Sequence, residues 1–143
     1  KRMPNYSPIT AWKPIFALSS VTFINLQYAD FSGDLIKIKN DFGVNVYNFD
    51  DLDHYNDLDE VVALSAALDV VVSTNSLVPK ISAGVGTLTK LANWRQSSWN
   101  NILFNPAGPL VDIFEKNTWE PWNDLFRLIA EDISKLINSR SAL

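Results

Sequence analysis

The stretch Asp69-Val70-Val71-Val72-Ser73, followed directly by Thr74-Asn75-Ser76, decides the fold class of this chain of 143 residues. Consecutive β-branched residues favour a strand, and an uninterrupted apolar strand is typical of a parallel sheet covered on both faces. The polar turn leads into residues 77–85, where apolar side chains recur at helical spacing. A strand that passes through a short turn into a helix is one unit of an α/β domain.

The same alternation of short apolar runs and helical patterns extends in both directions along the chain. It predicts strands over residues 21–27, 44–49, 69–73, 88–92 and 110–114, and helices over residues 35–42, 58–68, 77–85 and from 122 to the end. A first helix around Trp12 and Phe16 is weakly indicated, because Pro14 interrupts it. We therefore expect one domain over residues 1–143, with a Rossmann-like, open, mostly parallel sheet and helices on both faces.

Two helix ends carry recognisable capping residues. Gly43 follows the first clear helix and tolerates the left-handed conformation that often ends a helix. Asp57 precedes the next helix, and Glu60 stands three residues later, which is the spacing of a capping box.

Composition excludes several classes of function. The net charge of −4 and the lack of any basic tract argue against a nucleic-acid partner. No apolar run approaches 18 residues, so no transmembrane segment is expected. The absence of cysteine excludes disulfides and thiolate chemistry and is compatible with a cytoplasmic location. Because the chain starts Lys1-Arg2-Met3, we expect it to be a fragment of a longer protein.

Ligands of open parallel sheets bind outside the carboxyl ends of the strands. This rule indicates residues 27–30, 49–57, 73–80 and 93–98. The third is the most specific, because free backbone N–H groups at a helix start attract anions, Ser76 adds a hydroxyl and Lys80 adds a cation. The alternative is ordinary N-capping by Asn75 or Ser76, with Lys80 in solvent. Neither a dinucleotide-binding glycine motif nor a Walker lysine motif is present.

The other polar segments have structural explanations beside functional ones. The acidic residues 50–57 could hold ribose hydroxyls, but a solvated loop of turns and caps is the favoured explanation, and the spacing of a calcium loop is missing. His54, the single histidine, belongs to no set of catalytic groups. Trp94 and Trp99, in a polar connection over residues 94–109, either stack on a base or sugar or anchor that connection by burial.

These segments together resemble the C-terminal half of a GT-B glycosyltransferase, in particular the heptosyltransferase-like family nine and the tetratricopeptide-repeat-linked enzymes related to it. The family pattern W-x-P-I-L … F-V-N-L-Q-Y-G-D is similar to residues 12–15 and 23–30, and residues 56–73 and 122–136 also match. In the family's D-T-x-x-x-H motif, Asn75 stands for the acid, Ser76 for threonine and Lys80 for histidine.

The resemblance implies a domain that binds a nucleotide-diphosphate sugar, with the acceptor held by an N-terminal domain outside this chain. It implies no cofactor and no metal, and it places the general base outside this chain, so no catalytic residue is assigned and the chain alone should be inactive. The implied substrate-binding residues are Gln27, Tyr28, Asn75, Ser76, Leu77 and Lys80.

Two functional hypotheses follow. In the first, the chain is the donor-binding half of a metal-independent glycosyltransferase, in which the helix end at Ser76 and the cation of Lys80 stabilise the leaving diphosphate. In the second, it is a non-catalytic interaction domain that retains the fold and has lost the donor site, and it should then present an apolar surface patch.

Overall fold

The computed structural model describes residues 6–28, 30–95 and 110–142. The strands are β1 (Phe23–Ile24), β2 (Val46–Tyr47), β3 (Val70–Thr74), β4 (Leu88–Trp94) and β5 (Val111–Lys116). A 3-10 turn (Ile9–Trp12) leads into the helices α1 (Lys13–Phe16), α2 (Ser32–Phe42), α3 (Leu58–Ala67), α4 (Val78–Gly84) and α5 (Trp122–Ser141). Within these residues, no helix combines the length and the apolar character that crossing a bilayer requires.

All strand pairs in the described residues are parallel. β1 pairs with β2, and β3, β4 and β5 form a three-stranded sheet in that order. The β-branched run discussed above forms β3. Its neighbour in the sheet is β4, and α4 connects the two strands along the chain. This confirms the prediction of an α/β domain with a parallel, Rossmann-like sheet.

Helices cover both faces of the three-stranded sheet. Thr89 on β4 shares a hydrogen bond of 2.8 Å with Ser82 of α4, whereas Ala92 of the same strand packs into a cluster with Phe126 and Ile129 of α5. Positions 89 and 92 point to opposite faces, because side chains alternate along a strand. The two helices therefore lie on opposite sides of β4, as predicted.

The core lies between the sheet and α5. The indole of Trp12 stacks near the ring of Phe126, with the ring centroids 4.2 Å apart. The buried members of this cluster are Ala11, Ile15, Ala92, Leu125, Phe126, Ile129, Ala130 and Ile133. Pro14 lies in the first turn of α1, where a missing N–H costs no hydrogen bond, so it starts the helix rather than interrupting it.

The capping predictions are confirmed in part. Gly43 ends α2 with a φ of 70° and donates its N–H to the carbonyl of Lys39 at 3.0 Å. The carboxylate of Asp57 accepts the N–H of Glu60 at 3.1 Å. The N–H of Asp57 donates to the carbonyl of Asp53 instead of Glu60, so the reciprocal half of the capping box is replaced by a turn.

Strand lengths differ from the predictions. β1 and β2 contain two residues each, which is shorter than their apolar runs. β4 and β5 each extend beyond the apolar run, since Asn93 pairs with Glu115 and Trp94 with Lys116. Backbone ladders depend on main-chain geometry and continue through polar side chains. As a result Trp94, predicted in a loop, belongs to β4, and the remainder of that connection, including Trp99, lies outside the described residues.

Candidate functional site at the carboxyl ends of the strands

The turn after β3 keeps the position that the sequence predicts for it. The hydroxyl of Ser73 lies 3.3 Å from that of Ser76, and the Ser76 hydroxyl accepts the N–H of Val78 at 3.3 Å. Asn75 and Leu77 are exposed, and Leu77 retains 48% of its accessible surface. The turn is therefore open to solvent at the carboxyl end of a parallel strand.

The helix that follows the turn begins later than predicted. α4 starts at Val78 with Leu77 as its N-cap, and Pro79 lies in the first turn. Ser76 accepts one N–H of this turn from the position before the N-cap, so neither Asn75 nor Ser76 is the N-cap residue that the alternative predicts. Lys80 is half-buried and follows Val78 by two residues, so it lies in the first turn of the helix.

Gln27 and Tyr28 lie in the segment after β1, which pairs with β2 in the other, two-stranded sheet. Both are exposed. The N–H of Gln27 donates to the side chain of Asn25, and Asn25 in turn donates to Asn48 beyond β2, at 2.9 Å. Asn25 is the buried residue of this group, so the polar link between β1 and β2 depends on it rather than on the two predicted site residues.

The acidic segment after β2 serves mainly to order its own backbone. The Asp53 carboxylate accepts three hydrogen bonds from Tyr55 and Asn56, and these bonds, that of the Asn56 side chain first, hold the pKa of Asp53 below its usual value. The ring of His54 packs near Phe31 at the start of α2. Among the described residues, no group of three or more acidic or histidine side chains could hold a metal ion.

The ends of β4 and β5 bring polar groups together, of which the sequence analysis indicates Asn93 and Trp94 and misses Lys116 and Thr118. Asn93 and Lys116 are buried, and the indole N–H of Trp94 donates to the hydroxyl of Thr118 at 2.9 Å. The burial of Lys116 could have been predicted from the alternation of side chains along β5, because Phe114 faces the core and Lys116, two residues later, faces the same side. It was missed because the predicted strand ends at residue 114.

Lys116 is 5% exposed and carries its ammonium group against the start of α5. Its Nζ donates to the carbonyl of Asn117 at 2.8 Å and lies 4.9 Å from the ring centroid of Trp122. Burial lowers the pKa of Lys116, and the charge of Glu120 opposes that shift only in part. The carboxyl end of β5 therefore carries a buried, positively charged side chain, that of Lys116.

Lys90, on β4, faces the same helix in a different environment. Its Nζ forms ion pairs with Asp112 on β5 and with Asp132 on α5, the latter at 2.5 Å. Burial lowers the pKa of Lys90, but the hydrogen bonds and charges of the two carboxylates outweigh it, so the pKa is raised above the ordinary value of 10.5.

The fold and these strand ends define a parallel α/β domain whose polar groups gather where such domains hold ligands. The chain is similar to Protein FlbA of Caulobacter vibrioides, with 29% identity over 125 residues. That match covers 85% of this chain and 21% of FlbA, so the chain spans about a fifth of the length of that relative. No family model matches the chain, and no solved structure matches it.

These comparisons correct the resemblance drawn from the sequence. The curated relative bears the name FlbA and not that of a glycosyltransferase, and no family model or solved structure of the GT-B class matches. The predicted membership of family nine, with its tetratricopeptide-linked enzymes, is wrong. The motifs that suggested it are short strand-and-turn patterns, which unrelated parallel α/β domains also contain.

Proposed function

We propose that this domain binds a nucleotide-diphosphate ligand, of the nucleotide-sugar class, at the turn that follows β3. The observation that carries the proposal is the exposure of Asn75 and Leu77 directly after the half-buried strand. A turn buried under other side chains would have no room for a diphosphate.

The chemistry of the turn supports this ligand. The hydroxyl of Ser73 donates its proton to the carbonyl of Thr74 at 2.9 Å, which leaves the hydroxyl of Ser76 and the backbone N–H groups beside it as the donors that suit phosphate oxygens. Lys80 adds positive charge in the first turn of α4. Because α4 has only seven residues, we assign the attraction to these local donors and this cation rather than to a long helix dipole.

The proposal also covers the protein context of the domain and its location in the cell. The domain acts within a longer protein, which the one-fifth coverage of FlbA supports. Its location is cytoplasmic, which the absence of cysteine supports.

Calorimetric titration with UDP-, ADP- and GDP-sugars tests the proposal. We expect saturable heat with at least one base, and about ten-fold weaker binding for Lys80→Ala, because a hydrogen bond to a charged group contributes about 1.5–3 kcal/mol. Lys39→Ala, an exposed lysine on α2, removes the same charge and should leave the affinity unchanged. Absence of heat with all three ligands would refute the proposal.

A second candidate function is that of a non-catalytic interaction domain. The observation that favours it is the exposure of Tyr47 on β2, at 61%, and of Phe49 two residues later, at 48%. Both are large apolar side chains left in solvent within three residues of each other, and exposed apolar surface of this kind is typical of interaction sites.

Sedimentation velocity distinguishes this candidate. It predicts self-association that grows with protein concentration and disappears when Tyr47→Ser and Phe49→Ser are combined, whereas the exposed Tyr55→Ser leaves it intact. A chain that stays monomeric at every concentration argues against the interaction domain and leaves the nucleotide proposal untouched.

A further inference from the structure

The segment formed by β2 and the loop after it, residues 47–60, combines exposed aromatic rings with negative charge. Tyr47, Phe49 and Tyr55 are exposed, and Tyr55 retains 73% of its accessible surface. A partner that covers such rings removes a large apolar area from water, which is why tyrosine and phenylalanine are enriched at protein–protein interfaces. The segment therefore has the aromatic surface that docking of another polypeptide requires.

The charge around these rings is negative throughout. Residues 40–79 contain eight of the sixteen acids of the chain and none of its twelve lysine and arginine residues. The acids nearest the two ends of this range, Asp41 and Asp69, are paired with Lys37 and Arg140. Among the residues that the structure describes, no ion pair is formed by the six acids between them: Asp50, Asp51, Asp53, Asp57, Asp59 and Glu60.

These six carboxylates act as separate charges. Those of Asp53 and Asp57 accept backbone N–H groups of their own turn and of the start of α3, and hydrogen bonds to the charged form keep a carboxylate ionised. In the described part of the chain, no group of three or more acidic or histidine side chains could hold a metal ion. The negative charge is spread along the segment, so a partner that neutralises it must carry several separate positive charges.

We propose that residues 47–60 dock an extended segment of a partner protein in which lysine or arginine alternates with apolar residues. The inference rests on the second candidate function, that of an interaction domain, and names its partner. The cations of such a segment would lie against the unpaired carboxylates and the faces of Tyr47 and Tyr55, because aromatic faces attract positive charge. Its apolar residues would cover the aromatic rings.

Charge also argues against other occupants of this surface. A second copy would bring two sets of carboxylates together, and nucleic acid or an anionic lipid surface carries the same sign of charge. Salt screens such repulsion between exposed charges. Self-association through Tyr47 and Phe49 should therefore strengthen as salt is added, whereas binding of a basic segment should weaken.

Calorimetric titration of the whole chain with synthetic peptides tests the proposal. The probe is a short peptide of alternating lysine and valine, and the comparison peptides replace lysine by glutamate or valine by serine. At about 0.1 M salt we expect saturable binding of the lysine–valine peptide, about ten-fold weaker binding of the lysine–serine peptide, and none of the glutamate–valine peptide. About 1 M salt, where the Debye length is about 3 Å, should weaken the lysine–valine peptide by at least about ten-fold.

Matched variants locate the binding. Asp50→Asn combined with Asp51→Asn should weaken the lysine–valine peptide about five-fold, because two carboxylates beside Phe49 lose their charge. Asp124→Asn combined with Glu131→Gln removes the same charge from exposed positions on α5 and should leave the affinity unchanged. Should a variant fail to fold, the ring signals of Phe49 in the NMR spectrum of the wild-type chain decide the question, since they should shift saturably with the peptide.

Tyr55→Ser separates this proposal from the second candidate function. It should weaken the lysine–valine peptide about three-fold and leave self-association intact, and Tyr6→Ser, almost equally exposed, should change neither. Self-association without binding of the lysine–valine peptide refutes the proposal and leaves the interaction domain standing. Equal affinity in the Asp50 and Asp51 variant, or equal affinity of the wild type for the lysine–valine and lysine–serine peptides, also overturns it.

Discussion

Lys90 and Lys116 lie on neighbouring strands, face the same helix and are almost equally buried, at 3% and 5% exposure. Lys90 is held by the carboxylates of Asp112 and Asp132, whereas Lys116 has a backbone carbonyl and an aromatic ring. The first cation is neutralised within the fold. The second, at the carboxyl end of its strand, forms no ion pair within the described residues and is held by uncharged groups. The two lysines therefore show two ways in which this sheet accommodates a buried cation.

Replacement of Lys90 should produce the largest effect. Lys90→Met leaves Asp112 and Asp132 facing each other without their common cation, and loss of a buried ion-pair partner typically costs 3–5 kcal/mol. Since the Asp112 side chain is 51% exposed, solvent screens part of this, and we expect a loss of about 2 kcal/mol in urea unfolding. Lys135→Met is the matched control and should change stability by less than about 0.5 kcal/mol. If the Lys90→Met chain were as stable as wild type, the two carboxylates would not stabilise Lys90, and the proposed difference between Lys90 and Lys116 would be wrong.

The two lysines should respond to alkaline pH in opposite ways. The lowered pKa of Lys116 means that the unfolded state binds more protons than the native state as pH approaches the ordinary value of 10.5, so this group makes stability rise with pH in that window. The raised pKa of Lys90 gives a contribution that is complete below 10.5 and is lost as pH increases beyond it.

Urea unfolding at a series of alkaline pH values measures both contributions. The difference between wild type and Lys116→Met should shift in favour of wild type as pH rises toward 10.5. The difference between wild type and Lys90→Met should stay constant over the same range. Identical pH profiles for the two variants would show that the burial of Lys116 has no electrostatic cost.

The contact between Lys116 and Trp122 should contribute about 1–2 kcal/mol, because the ammonium group is buried and cation–π pairs are stronger there than at exposed sites. A double-mutant cycle with Lys116→Met and Trp122→Leu isolates this term from the packing that each change also removes. A coupling energy of zero would mean that the ring only covers the ammonium group.

The smallest effect is expected for the exposed pair of Arg140 and Asp69, which joins the end of α5 to the amino end of β3 at 2.6 Å. Both side chains are largely in solvent, so Arg140→Met should cost no more than about 0.5 kcal/mol in urea unfolding. A loss as large as that for Lys90→Met would show that burial does not set the ranking.

Sequence patterns predicted the fold well where local chemistry determined it. The β-branched run of β3, the left-handed Gly43 and the cap at Asp57 each act within a few residues, and the structure contains all three. The prediction that Pro14 interrupts a helix is wrong, because a helix tolerates proline in its first turn, and that is where Pro14 lies.

The candidate site was predictable only in part. The turn at Asn75 and Ser76 follows from the order of strand and helix along the chain. The environment of Lys116 depends on the ring of Trp122 and the carbonyl of Asn117, and it arises from how α5 packs on β5. Such long-range neighbours are not encoded in local spacing, and the short motifs that resembled a glycosyltransferase did not identify a family.

Mapping of backbone amides by NMR during titration with inorganic pyrophosphate tests the central claim, that the carboxyl ends of this sheet bind phosphate-bearing ligands. We predict saturable shifts concentrated at Asn75 to Val78. Saturable shifts concentrated instead at the amino end of the sheet, beside Asp69 and Arg140, or only small unsaturated changes over the whole chain, would contradict the claim.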